Sequence, residues 1–324
     1  MDRRKFCAIA GMAPILGAVT TRVHAQTLQK GKPIVLVVPF SPGGNLDTVA
    51  RAVAPELGTA LGMSVVIENK PGAGGVIGAS QVARAAPDGY TLLVTTPNAI
   101  TVAPFMVDTH YTLKSFAAVG GLGSASQVVA VNPRGRFQTM AQLLDEARRS
   151  EGAVTLGHSG LGTTNHIALL KLEEAAGCRF TAVPFKGSAP AIAALLGAQI
   201  DAIIDQVTSS YANIKAGKLR GLAVLSAERD RFLPDVPTLA EAGLAGLTSM
   251  TQCGLMAPAG TPDAIVQQLN AALNKALQAD AVRERLHNTG SVALETTPAE
   301  WQKILQAELE TARQLDAQGK LAAN

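Results

Sequence analysis

A short apolar run, Ile34-Val35-Leu36-Val37-Val38, sits between Pro33 and Pro39 and leads at once into Ser41-Pro42-Gly43-Gly44-Asn45. After it, Val49, Ala50, Val53, Ala54, Leu57 and Leu61 recur at helical spacing over Asp47 to Leu61. A β-branched run with no polar face is a strand covered on both sides. The unit is therefore strand, glycine turn, helix. It recurs as a strand over 64–68, a turn over 69–75, a helix over 76–84 and a strand over 91–95. Further on, a strand over 154–157 leads through Ser159–Thr164 into a helix, a helix over 189–196 precedes a strand over 200–204, and 219–225 is another strand. Alternation of this kind specifies an α/β fold with mostly parallel sheets.

At 324 residues the chain is long enough for two such lobes. Two strands are placed to cross between them: one near 128–132, leaving through Pro133-Arg134-Gly135, and one over 250–257, leaving through Pro258-Ala259-Gly260-Thr261-Pro262. Long helices follow over 263–277 and 298–315, the second carrying Trp301, Leu305, Leu309, Ala312 and Leu315 down one side. The expected division is 27–131 plus 253–324 for lobe one and 132–252 for lobe two. No repeat or low-complexity segment is visible.

Arg3-Arg4-Lys5-Phe6 opens an apolar run to Val19, and Val23-His24-Ala25 offers small residues to a signal peptidase. Residues 1–25 read as an export signal, twin-arginine or Sec in type, so the expected location is the periplasm. The run falls short of the roughly 18 apolar residues of a membrane span. The formal charge is +3, from 28 Lys+Arg against 25 Asp+Glu. Four bases (Arg3, Arg4, Lys5, Arg22) and one acid (Asp2) belong to the leader; 28 less four and 25 less one leave 24 of each. A neutral chain lacks the basic excess that a phosphate backbone demands, which argues against a nucleic-acid partner.

Cys7 leaves with the leader. Cys178 and Cys253 read as two buried thiols, and without Cys-x-x-Cys there is no framework for metal or redox chemistry. His110, His158, His166 and His287 show no metal-ligand spacing, and only His158 lies in a glycine loop. No metal and no cofactor are expected.

The loop 40–47 has two readings. Glycines before a helix let the backbone approach an anion at the free N–H groups; alternatively the loop is a tight turn with Asp47 offsetting the helix dipole. A second loop, Gly157-His158-Ser159-Gly160-Leu161-Gly162-Thr163-Thr164, falls in the other lobe. Open α/β sheets bind ligands at the carboxyl ends of their strands, where both loops lie. The segment Asn69–Gly78 is not a dinucleotide fingerprint, because Ile77 stands where the last glycine belongs. Gly157-His158-Ser159-Gly160-Leu161 lacks the final glycine of a nucleophile elbow. Spacing does not exclude a Ser159/His166/Asp205 triad, so an exported serine hydrolase remains an alternative. Lys186 faces a ligand or water; Asp205 caps a helix or reaches into the cleft.

Taken together, VPFSPGGNLD (38–47), IENKPGAGGVIGA (67–79), PDGYTL (87–92), VPFKGSAPAIAALLGAQID (183–201) and GLMAPAGTP (254–262) resemble the Bug receptors, the extracytoplasmic solute-binding proteins of the tripartite tricarboxylate transporter family. The similarity runs in order through nearly all of the mature chain. It implies a type II periplasmic-binding-protein fold, with two α/β lobes joined by two crossing strands and a ligand cleft between them. It further implies a carboxylate held by backbone amides of two opposing loops, here Phe40, Ser41, Gly43 and Gly44 against Ser159, Gly160, Gly162, Thr163 and Thr164. Thr96, Pro97 and Asn98 form a third wall, and Asp205 corresponds to an acidic residue that meets an amine or hydroxyl. Phe185, also counted among the ligand-binding positions, stands where tyrosine is common, and Gln252-Cys253 where an aromatic precedes the GL pair. The implied role is that of a monomeric, non-enzymatic receptor delivering a small carboxylate or dicarboxylate to membrane permease subunits. A sensor uncoupled from transport is a further alternative.

Overall fold

The computed structural model describes residues 27–244, 246–319 and 321. The expected export leader, with Cys7 and His24, lies outside them. In chain order the strands are β1 (Ile34–Val38), β2 (Val65–Asn69), β3 (Thr91–Thr95), β4 (Phe116–Val131), β5 (Thr155–His158), β6 (Thr181–Pro184), β7 (Ala202–Gln206), β8 (Arg220–Val224), β9 (Met250–Pro258) and β10 (Val292–Ala293). The helices are α1 (Asn45–Leu61), α2 (Val76–Ala83), α3 (Asn98–Thr101), α4 (Ala103–Met106), α5 (Met140–Arg149), α6 (Thr164–Ala176), α7 (Ser188–Leu196), α8 (Val207–Lys215), α9 (Asp263–Gln278), α10 (Asp280–His287) and α11 (Pro298–Ala317).

In one lobe β1 lies between β2 and β3, all parallel. In the other, β5 lies between β6 and β7, again parallel. The strand order β2-β1-β3-β9-β4-β7-β5-β6 joins the two through β9 and β4. The 16-residue β4 pairs antiparallel with β9 from Phe116 to Ser126, then with β7 from Gln127 to Val131. These are the two crossing strands. The continuous run of β1 is buried on both faces, as its composition requires: Leu36 and Val38 pack with α1 and α9, while Val37 packs with Trp301 and Leu305 of α11. In the second lobe Leu156 and Ile204 face α5 and α6, and Ile203 faces Leu195 of α7.

The sequence placed the first crossing strand at 128–132, but β4 begins at Phe116. Its early residues are small because other groups occupy the space a side chain would fill. A Cβ on Gly121 would lie 2.4 Å from the Leu294 carbonyl oxygen, and on Gly254 of β9 2.5 Å from Trp301. Close approach, not β propensity, selects these glycines. Cys178 and Cys253 are unbridged and buried in different cores, and burial pushes the Cys253 thiol up to about 12.

Candidate functional site

The first loop connects β1 to α1. Gly43 takes φ +80° and Gly44 caps α1 in extended conformation without a side-chain hydrogen bond. Asp47, buried in the first turn, accepts from the Gly43 N–H at 2.9 Å, Arg51 Nε at 2.8 Å and Asn69 Nδ2 at 2.9 Å; Asn69 also donates to the Phe40 carbonyl at 3.1 Å. Burial pushes the Asp47 carboxyl up, but Arg51, the Gly43 amide and Asn69 outweigh it and hold the group below the ordinary carboxylate range. Asp47 therefore orients the loop from beneath.

The second loop connects β5 to α6. Gly160 and Gly162 take φ +127° and +71°. Thr163, the N-cap of α6, accepts from the His166 N–H, donates to the Gly160 carbonyl at 2.7 Å and receives the Ser159 hydroxyl at 3.2 Å. Beneath the loop, the rings of His158 and His166 stack at 4.7 Å.

The two loops meet. The Ser41 N–H and hydroxyl both donate to the Lys186 carbonyl, at 3.2 and 3.0 Å, and the Thr164 hydroxyl donates to Asn98 Oδ1 at 3.0 Å. A Cβ on Gly74 would stand 2.1 Å from the Leu161 carbonyl oxygen, so backbone touches backbone across the cleft. Between the lobes lies a cavity of about 20 Å³. Phe40, Gly44, Asn45 and Leu46 line it at the start of α1, Thr96 beyond β3, and Ser159, Thr163 and Thr164 at the start of α6. Ser188 opens α7 and Gln206 caps α8. The N-termini of α1, α6, α7 and α8 thus converge on one cavity whose lining has no charged side chain. Each brings free N–H groups and the positive end of a dipole.

Of the residues chosen from the sequence, Phe40, Gly44, Ser159, Thr163 and Thr164 line this cavity. Ser41, Gly43, Asn98, Gly160 and Gly162 lie at the contact between lobes instead, Gly43 against Ala189, Gly160 against Gly74 and Gly162 against Ala103. Two expected ligand contacts lie outside this cavity. Asp205 does not reach into the cavity: it is buried, accepting from Ser209 at 2.6 Å, Ser210 at 2.7 Å and Asn165 at 3.2 Å, and burial pushes its carboxyl up. Phe185 packs behind the second loop against Gly157 in the apolar cluster of α7. The next residue along β7, Gln206, takes the place expected for Asp205. Its side chain accepts from Ser188 at 3.2 Å and donates to Asn165 and to Thr251 of β9. Asn45, Leu46, Ser188 and Gln206 were missed. Glutamine is a poor N-cap residue, and its presence at a strand end before a helix was the available signal.

No triad is assembled. Ser159 donates to Thr163, His166 Nδ1 accepts from Gly162, and the Asp205 oxygens are taken by Ser209, Ser210 and Asn165. Nucleophile, base and orienting acid are not linked as acyl transfer requires. Among the described residues no cluster of His, Cys, Asp and Glu is arranged for a metal, and no helix is long and apolar enough to cross a membrane. A wider groove of about 600 Å³ runs between α5, α6 and the end of α11. It has Arg148, Lys171 and Arg179 alongside Glu151, Glu173 and Glu174, and among the described residues no helix begins at it, so the cleft is the candidate site.

Residues 49–318 match the tripartite tricarboxylate transporter family receptor. BugT of Bordetella pertussis is 32% identical over 313 residues, covering 96% of both chains. Among solved structures, MatC from Rhodopseudomonas palustris with bound malate superposes with a TM-score of 0.83 at 32% identity, covering 88% of this chain and 99% of that one. R. palustris Rpa4515 with adipate gives 0.83 and 32%, covering 88% and 97%. A match through most of the chain, together with two lobes joined through β4 and β9, leads to one conclusion: the chain belongs to the tripartite tricarboxylate transporter receptor family, a family of solute-binding receptors and not of enzymes.

Proposed function

We propose that the protein is a periplasmic receptor that closes its lobes on a small carboxylate or dicarboxylate and delivers it, as a monomer, to membrane subunits of a tripartite tricarboxylate-type transporter. The observation that carries this reading is the convergence of four helix N-termini on a cavity without a charged side chain. Such a cavity favours an anion through oriented N–H groups. A hydrogen bond to a charged group contributes about 1.5–3 kcal/mol, and micromolar affinity requires about 8 kcal/mol. Three or four such bonds suffice when the loops are fixed beforehand, as the Asp47 and Thr163 networks fix them. Phe40 and Leu46 offer apolar wall to a short methylene chain.

Malate in MatC and adipate in Rpa4515 support a short aliphatic dicarboxylate. The cavity of about 20 Å³ holds about one water, whereas ligand pockets run from about 300 Å³ upward. Capture therefore involves separation of the lobes about β4 and β9. Periplasmic location and delivery to a permease rest on the leader-like first 25 residues and on the family.

Isothermal titration of the protein with malate, adipate, an amino acid and an aromatic acid at pH 7.5 tests the ligand class. Micromolar or tighter binding of a dicarboxylate is expected, and absence of binding to every carboxylate overturns the reading. Uptake of that carboxylate by cells lacking the protein tests delivery: loss of uptake is expected, and unchanged uptake removes the transport clause.

A further inference from the structure

We infer that His166 is a positioning residue for capture: its neutral imidazole holds the second glycine loop in the shape that puts Ser159, Thr163 and Thr164 at the cavity, and protonation releases that loop. This rests on the receptor reading of the cleft and adds a control to it.

His166 is the third residue of α6, where a Glu or Gln side chain commonly reaches back to a free N–H before the helix. Here Nδ1 accepts the Gly162 N–H at 3.3 Å, one residue further back than in a standard capping box. That role fixes the tautomer, with the lone pair on Nδ1 and the proton on Nε2. His158 supports the other end of the loop, its Nδ1 lying 3.1 Å from the Gly160 carbonyl oxygen. Both rings are buried, and the His158 Nε2 has no partner. A proton on His166 Nδ1 would set two donors face to face. A second proton on the His158 ring, whose Nδ1 also lies 3.3 Å from the Gly160 nitrogen, would leave a charge buried beside an Nε2 that has no partner.

Among the described residues no carboxylate hydrogen-bonds either ring or raises either group. β5 and β6 carry no other titratable side chain, and α3 and α4 of the first lobe carry none. β7 brings Asp205, whose oxygens are occupied by Ser209, Ser210 and Asn165. Lys171, Glu173 and Glu174 lie further along α6, with Glu308 of α11 opposite Lys171. The N-terminus of α6 itself disfavours a cation. Burial accordingly lowers both histidines from 6.5 to about 4, and for His158 the neighbouring His166 adds to the effect. A group whose value is lowered in the ordered loop favours that loop fully above about pH 6.5. The support fades as pH falls toward 4.

The test uses three proteins. His166→Asn places Oδ1 where Nδ1 was and does not titrate; His166→Leu keeps the bulk and loses the acceptor. Affinity for malate and adipate is measured at pH 7.5 and 5, alongside hydrogen exchange of the loop 159–164 in the absence of ligand. At pH 7.5 the Asn variant should bind within about threefold of wild type, and the Leu variant at least about tenfold more weakly. Between pH 7.5 and 5 wild type should lose more affinity than the Asn variant, with about thirtyfold as the ceiling that a fall from 6.5 to about 4 allows; titration of the ligand cancels in that ratio. Loop protection should follow the same order. Equal affinity of the Leu variant at pH 7.5, or parallel loss in wild type and the Asn variant, overturns the inference. Absence of malate and adipate binding in wild type would instead count against the short-dicarboxylate clause of the receptor reading. The exchange experiment then decides on its own, with pH-independent protection in wild type counting against His166.

Discussion

At the scale of single residues, the cleft depends on positions where a side chain is missing. Gly74 has φ +63°, and a Cβ there would meet the Leu161 carbonyl oxygen of the opposite lobe at 2.1 Å. Such an overlap cannot be relieved by a rotamer change, because both partners are backbone. It is relieved by opening the lobes. Gly74→Ala should therefore act mainly on closure, with about 1–2 kcal/mol of local strain from the left-handed conformation. We expect affinity for the carboxylate to fall at least about tenfold, with a larger radius of gyration in small-angle scattering of the loaded protein. A variant as compact and as tightly binding as wild type would show that this contact does not govern closure. Gly78 and Gly254 also leave no room for a Cβ, but their close neighbours belong to their own lobe, so the same substitution there acts on stability instead.

At the scale of elements, the site is a meeting of helix starts, and Thr163 shows how one is held. Its hydroxyl caps α6 and donates to the Gly160 carbonyl, tying helix and loop to one atom. Thr163→Val keeps the shape and removes both links. Chemical denaturation should show a loss of about 1 kcal/mol, the usual worth of an N-cap, and calorimetry a weaker carboxylate affinity; unchanged affinity at reduced stability would separate the cap from the site. Much of this arrangement was legible in the chain. The apolar run of β1 and the glycines at 43–44 and 160–162 suffice to place both loops at the carboxyl ends of parallel strands. What was illegible depends on distant segments meeting. The Gly- and Ala-rich start of β4 looks unlike a strand because its residues are chosen to fit Asn270, Leu294 and α11. Asp205 and Gln206 are adjacent in β7, and the serines at 209 and 210, one turn into α8, decide which of them turns inward.

At the scale of the whole molecule, the cavity is wired to the hinge. Gln206 at the cavity donates to Thr251 of β9, and Thr251 accepts from Gln127 of β4 at 3.2 Å, where β4 passes from pairing with β9 to pairing with β7. Polar groups at the point of crossing can exchange partners as the lobes turn, which a dry, close-packed junction resists. On the proposed receptor reading the lobes open about this junction, and a covalent tie between them should abolish exchange of ligand. A Cβ on Gly43 of the first lobe would lie 3.8 Å from Ala189 Cβ of the second, the spacing of a disulfide, about 3.8 Å. Neither residue lines the cavity, and the native cysteines Cys178 and Cys253 are buried in separate cores. In the double variant Gly43→Cys and Ala189→Cys, the reduced protein should bind the carboxylate, somewhat weakened by strain at φ +80°. The same protein oxidised while empty should not bind it, because the shut cavity is too small. Oxidised after loading, it should keep its ligand through dialysis and release it on reduction. Equal binding by the oxidised and reduced proteins would mean that ligand passes the loops without lobe motion, and that the crossing strands serve as a rigid support.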